Sequence, residues 1–553
     1  MRRWLPVLVL ALVVPASCTS KQEAFDVAVA DAPAAAVEAD TLSQSGGIEI
    51  GPEVPCVRGG TPGVFTESRE ALGISFVQAN TLPPGGAAVG GGLAVADFDM
   101  DGALDVYFTN TSGSDEVYLT GGKGPLQFHA ESYPNSPALI HIGAYVADAD
   151  GDGDPDLLFS PPESGLGIND GTGHFTQASA GIKFIHIGAF EPSASWLDLN
   201  LDGHLDICVA GGADHTSDDA IAGLSDRCFV GDGKLGFTEV PIPKTEKEGQ
   251  AFIVGVADVD NDADPDLYIV NDFGMMLQPN ELFLNDGKGT FTAVSFDSDS
   301  DVGVYGMGLA LGDIDNDGWL DLYTCSMRPV NDVLVRNRGD GTFEDVTMAL
   351  NAGSMEVHEG VSWGAQFIDV ENDGDEDLFV AHGQHQQLQT SGQGLTPNPA
   401  LQPDVLLINQ GGQGFVDGTV PAGVIGEGIG RSPVEADLDR DGFPDLVVGN
   451  LNGPPYVYLN GCSTDVGWLG VRFKPTRANP SAIGTRVDAV VAGVHHIREI
   501  GSGADGLFGS GPPEVTIGLG AASKVDTLRV VWPGGEAQEF HDVPVRRWVT
   551  VTQ

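Results

Sequence analysis

The chain has 553 residues, with 26 Lys and Arg against 79 Asp and Glu, for a net charge of −53. That charge excludes nucleic acid as a partner, since a polyanion would be repelled. A hydrophobic content of 41% still supplies a core, while 77 glycines and 34 prolines cut it into short runs, so an all-β chain of many turns, longer than one ordinary core, is expected.

Arg2 and Arg3 precede an apolar run from Trp4 to Val14 and then small residues as far as Cys18. This is the layout of a secretory signal, and the apolar run is too short to span a bilayer. The cysteine makes residues 1–18 resemble a bacterial lipoprotein signal, which implies lipidation at Cys18 and attachment to a membrane through that lipid alone. Pro15 departs from that pattern and leaves cleavage by an ordinary signal peptidase as the alternative. Either route exports the protein, to the cell envelope or beyond. Residues 19–55, rich in Ala, Asp, Glu and Ser without periodicity, read as a flexible linker.

From 56 to 462 an acidic nonamer recurs about every 57 residues. It reads DFDMDGALD at 97–105, DADGDGDPD at 148–156, DLNLDGHLD at 198–206, DVDNDADPD at 258–266, DIDNDGWLD at 313–321, DVENDGDED at 369–377 and DLDRDGFPD at 437–445. Apolar runs flank every copy, and a third run followed by a Gly-containing turn and an aromatic completes each repeat, as in NELFLNDGKGTFTAV. Four short strands per repeat predict a seven-bladed β-propeller. The last repeat stops at PPYVYLNG without its aromatic strand, and GVFTESREALGI at 63–74 resembles the missing piece, so an N-terminal strand should close the ring. Cys56 and Cys462 flank these two pieces, and Cys208 and Cys228 fall on consecutive strands of the third repeat. In an oxidising compartment both pairs are expected to be disulfides, with Cys325 left over; the alternative is that all five thiols are simply buried.

Each nonamer places side-chain oxygens at its first, third, fifth and ninth positions. These are Asp97, Asp99, Asp101 and Asp105; Asp148, Asp150, Asp152 and Asp156; Asp198, Asn200, Asp202 and Asp206; Asp258, Asp260, Asp262 and Asp266. They continue as Asp313, Asp315, Asp317 and Asp321; Asp369, Glu371, Asp373 and Asp377; Asp437, Asp439, Asp441 and Asp445. Two carboxylates about 4 Å apart repel by roughly 4 kcal/mol at an effective dielectric of about 20, so the loops need a cation. An all-oxygen set with flexible, high coordination favours Ca2+ over zinc, copper or magnesium. An EF-hand is excluded by the strands on either side and by the absence of its Glu at position twelve. Ala263 stands where the other loops have Gly.

The repeats, over 63–461, look like the FG-GAP or VCBS repeats of integrin α-subunit propellers. Residues 463–553 resemble the ASPIC/UnbV domain that follows such propellers in the cartilage acidic protein family, through Ile483, Gly484, Arg486, Arg498, Glu499, IGLG at 517–520, Val525, Asp526 and VVWPGG at 530–535. After Gly503 the chain departs from that pattern with DGLFGSG. The alternating runs of this region predict a small C-terminal β-sandwich.

GSGADG at 501–506 lacks the helix a dinucleotide fingerprint needs, and RGD at 338–340 occupies a hairpin turn shared with sister repeats. His141 and His186, in HIGAY and HIGAF, read as core or blade-face histidines. Catalytic motifs are missing, and no carboxylate pair stands apart from the loops, so an exported, calcium-binding surface module for adhesion or scaffolding, binding an extracellular protein or glycan, is the leading reading; a propeller enzyme acting on polysaccharide is the second. Strand order puts all seven acidic loops on one face. The segments that vary most lie on the other, and there Phe273, Met275, Met276, His382 and His385 are the candidate ligand-binding residues.

Overall fold

Apolar runs of four to eight residues between Gly- and Asp-rich turns are too short for helices that could bury a face, and they form strands instead. The computed structural model describes residues 47–79, 89–122, 126–132, 140–160, 165–178, 189–214, 222–243, 248–327, 329–354, 360–383, 402–502 and 506–553; Cys18, His186 and His385 lie outside them. Among these residues seven antiparallel sheets follow one another, each with an acidic loop between its first two strands. The first strands are Leu93–Ala96, Gly143–Ala147, Ala194–Leu197, Gln250–Ala257, Leu309–Gly312, Ser362–Ile368 and Gly430–Ala436. They pack side by side in chain order, and the last returns against the first, as in a β-propeller.

The ring closes as expected: Thr66–Glu67 pairs antiparallel with Tyr456–Leu459 and becomes the outer strand of the last sheet. A disulfide joins Cys56 to Cys462 across this seam, with Cα atoms 5.6 Å apart. Cys208 and Cys228 are direct cross-strand partners and are also joined, while Cys325 is a buried free thiol.

Neighbouring sheets are locked by a device repeated at the acidic loops. The aromatic at the start of the fourth strand, such as Phe291, Phe343 or Phe415, shares a buried cluster with the second residue of the preceding loop, here Leu199, Val259 and Ile314, and Phe175 meets Phe98 edge-on at 5.3 Å. Burial of each ring contributes about 2 kcal/mol. The third strand ends in Asn at Asn169, Asn285, Asn337, Asn409 and Asn460, and each Nδ2 donates to that same residue's carbonyl, in Phe98, Leu199, Val259, Ile314 and Val370, at 2.8 Å.

Residues beyond 462 form two further four-stranded sheets. One pairs Arg486–Val491 with Val494–Glu499 and Lys524–Val531, and Lys524–Val531 with Ala537–Pro544. The other contains Trp468–Lys474, Glu514–Gly518 and Arg547–Thr552, and its edge strand is Gly47–Ile50, paired with Arg547–Thr552. The expected linker of 19–55 therefore ends too late, since its last residues belong to the C-terminal domain.

That domain covers the acidic-loop face. Its segment 506–511, the stretch that departs from the family pattern, enters the centre of the ring. Gly509–Ser510 runs parallel to Leu93–Ala96, Gly506 N donates to Ala365 O at 3.1 Å, and Ala144 N donates to Phe508 O at 3.4 Å. Leu507 and Phe508 are fully buried there.

Candidate metal-binding loops and the opposite face

In six loops the first Asp anchors the wrap by accepting backbone N–H groups from positions five and six, and in the 148–156 loop Asp148 accepts those of Gly151 (2.8 Å) and Gly153 (3.0 Å), positions four and six. Asp97 takes those of Asp101 (3.0 Å) and Gly102 (2.9 Å), and Asp437 those of Asp441 (2.9 Å) and Gly442 (2.8 Å). The turn needs left-handed backbone at two positions. Position six has φ between +69° at Ala263 and +103° at Gly153, and position four is also left-handed, at Met100, Gly151, Leu201, Asn261, Asn316, Asn372 and Arg440. The second requirement was missed in the sequence, although Asn or Gly at position four in four of the loops is a readable sign.

The ninth Asp is a strut between strands. Asp105 accepts from Phe98 N (2.9 Å) with one oxygen and from Thr120 N (2.7 Å) with the other; Asp206 does the same with Leu199 N (2.8 Å) and Gly231 N (2.7 Å). Each oxygen keeps a lone pair for a further partner. Carboxylate oxygens come within 4.8 Å of one another in five loops: Asp97, Asp99 and Asp101; Asp148, Asp150 and Asp156; Asp258, Asp260 and Asp262; Asp313, Asp315 and Asp321; Asp437, Asp439 and Asp445. In the 198–206 loop the Asn200 amide instead donates to Asp202 at 3.0 Å.

These groups could bind a metal ion, and the residues fit one. All the donors are hard oxygens, and Asp154, Asp260, Asp264, Asp315, Asp439 and Asp441 each keep a buried carboxylate oxygen without a hydrogen-bond partner. Asp154 and Asp264, at position seven, add charge that the first, third, fifth and ninth positions do not count. Burial, reinforced by neighbouring carboxylates, pushes Asp105, Asp313 and Asp369 up to about 8 and Asp260 up to about 7. Burial also raises Asp321, Asp377, Asp437 and Asp445 well above the usual carboxylate range. The 437–445 loop receives a cation from the chain itself, because Arg58, two residues from Cys56, pairs with Asp439.

On the opposite face Met275 and Met276 are 62% and 51% exposed. Phe273 is half-buried with left-handed backbone (φ +56°), edge-on to Tyr305 at 5.8 Å. A cavity of about 510 Å³ lies between the third and fourth sheets, lined by Asp226, Arg227, Pro241, Ile242, Glu248 and Glu281 among others. His382 does not belong to this surface. It ends the buried strand Asp377–His382, its N–H donates to Asp404 at 3.0 Å, and its Nε2 lies 3.1 Å from Ser354 Oγ. His141 is a core residue, stacked on Phe159 at 4.0 Å. The RGD residues form a hairpin turn in which Gly339 N donates to Asn337 Oδ1 at 3.0 Å.

Ring, loops and added domain define a repeat-built protein with a β-propeller-like fold. Residues 97–159, 198–269 and 258–324 match the FG-GAP-like repeat and residues 475–553 match ASPIC and UnbV, so the chain carries FG-GAP-like repeats and a C-terminal ASPIC/UnbV domain. It is 38% identical over 84 residues to Cartilage acidic protein 1 of Mus musculus, a match that spans 13% of this chain and 13% of that relative. Among solved structures it resembles a lectin of Agrocybe aegerita that recognises non-reducing terminal N-acetylglucosamine, at 16% identity, TM-score 0.37, over 58% of this chain and 77% of that one. It also resembles BBS1N in complex with ARL6DN, at 9% identity, TM-score 0.39, over 69% of this chain and 96% of that one. No helix among the described residues is long and apolar enough to cross a membrane.

Proposed function

We propose that the protein is an exported, calcium-stabilised seven-bladed propeller, residues 56–462, with a C-terminal domain from 463, that displays its uncovered face to an extracellular protein or glycan. Lipidation of Cys18 would hold it at a membrane. Calcium would be held by the first, third, fifth and ninth side chains of each loop, where it neutralises carboxylates that otherwise repel one another. The observation that carries the binding role is the coverage of the acidic-loop face by the C-terminal domain. This leaves the opposite loops, with Met275 and Met276, as the variable surface on a rigid scaffold.

The test is a glycan array and an envelope-protein screen with and without chelator. Replacing Phe273, Met275 and Met276 with Ser should abolish binding of the partner found and leave the melting temperature in calcium unchanged. Undiminished affinity in that variant would place recognition elsewhere.

A further inference from the structure

The C-terminal domain touches the acidic loops chiefly at their fourth and sixth residues, the two left-handed positions. Arg486 donates to the side-chain oxygen of Asn261, position four of the 258–266 loop, and to the carbonyl of Gly318, position six of the next loop. Gly534 N donates to Ala263 O (2.9 Å), Gly520 N to Asn372 O (2.8 Å), and His496 Nδ1 lies 3.1 Å from Gly374 O. Arg440, position four of the last loop, pairs with Glu514, and Glu499 accepts the N–H of Asp258 at 3.2 Å. At Gly518 the approach is so close that a Cβ would stand 2.0 Å from a carboxylate oxygen of Asp369.

Resting on the calcium reading above, we propose that the C-terminal domain completes the metal centres at 258–266, 313–321, 369–377 and 437–445, with Arg486 as the positioning residue that ties two of them together. The groups it meets face the domain only while the loops are wrapped. Without a cation the carboxylates that ionise repel one another and loosen the wrap, so the acceptors of Arg486 and the Asp258 N–H that reaches Glu499 are held less firmly. Loading of these loops and seating of the domain are then one equilibrium, and by linkage each strengthens the other by the same factor. The 97–105 loop is the internal control, since among the described residues no hydrogen bond or ion pair joins it to the C-terminal domain.

Trp319, at position seven of the 313–321 loop, makes a site-resolved readout possible, because its indole can sensitise terbium bound there. Terbium titrations of the full chain would compare wild type, Trp319→Phe, Arg486→Ala and Arg486→Lys. Trp319→Phe should remove one luminescence component. Arg486→Ala should weaken that component about tenfold, the expected loss of a charge-assisted hydrogen bond. Arg486→Lys, which keeps the charge without the planar fork, should recover part of the loss and serves as the comparison if the Ala variant does not fold. In wild type, calcium removal should speed amide exchange in 496–499 and 507–510. An unchanged terbium midpoint in folded Arg486→Ala, or exchange in those segments indifferent to calcium, overturns the coupling while leaving calcium binding intact. Failure of wild type to bind either cation overturns both.

Discussion

Ala263 shows what the loop imposes on a single residue. Its φ of +69° is left-handed like the +86° to +103° of the glycines at the same position, its N–H donates to Asp258 at 2.9 Å, and its carbonyl is taken by Gly534. The wrap therefore holds an alanine where the Cβ is unfavourable, at a cost of about 1 kcal/mol. Ala263→Gly should raise stability by ~1 kcal/mol, seen as a higher midpoint in calcium-containing urea titrations; a lower midpoint would refute strain at this position. His382 teaches the opposite lesson. The continuous apolar run LFVA leads straight into it, so it ends a strand buried on both faces, although the looser sequence that follows made it look like a loop residue.

At the scale of the element, the seam between sheets depends on the Asn that ends each third strand. Asn337 Nδ2 donates to Val259 O at 2.8 Å and Leu320 O at 3.3 Å, both buried. Asn337→Ala would strand those carbonyls and should cost about 1–3 kcal/mol, measured by chemical denaturation. Two seams lack the device. Thr120 holds that position in the first sheet, bonding only its own loop at Leu104 O, and Gly231 holds it in the third, where a Cβ would fall 2.2 Å from Leu205 O. The loops, the four-strand repeat and the closing strand 66–67 were legible in the sequence because each is written in local residue identities. The seating of the C-terminal domain was not, since it is made largely to backbone carbonyls at positions four and six, which no residue type marks. Nor was Gly47–Ile50, too short a strand to show its period before its partner Arg547–Thr552 is known.

Across the whole molecule the raised carboxylates set the response to acid. Asp105, Asp313 and Asp369 sit at about 8 in the metal-free fold and would ionise near 4 in the unfolded chain. Between those values the folded state holds more protons, so its stability falls as pH rises. In chelator the melting temperature should be highest near pH 5 and decline toward pH 8.5, whereas calcium, which binds the ionised loops, should protect most at the alkaline end. A melting temperature in chelator that is flat across this range would remove the buried carboxylates as its cause. The disulfide at the ring seam has a mechanical consequence. Because Cys56 is bonded to Cys462, the chain between them is a covalent loop. Traction applied upstream of residue 47 must first shear Gly47–Ile50 from Arg547–Thr552; it then passes directly to residue 462 and bypasses every acidic loop. A tether at the N-terminal end would thus load only the C-terminal domain and its seating, and the propeller would hang slack inside its own clasp.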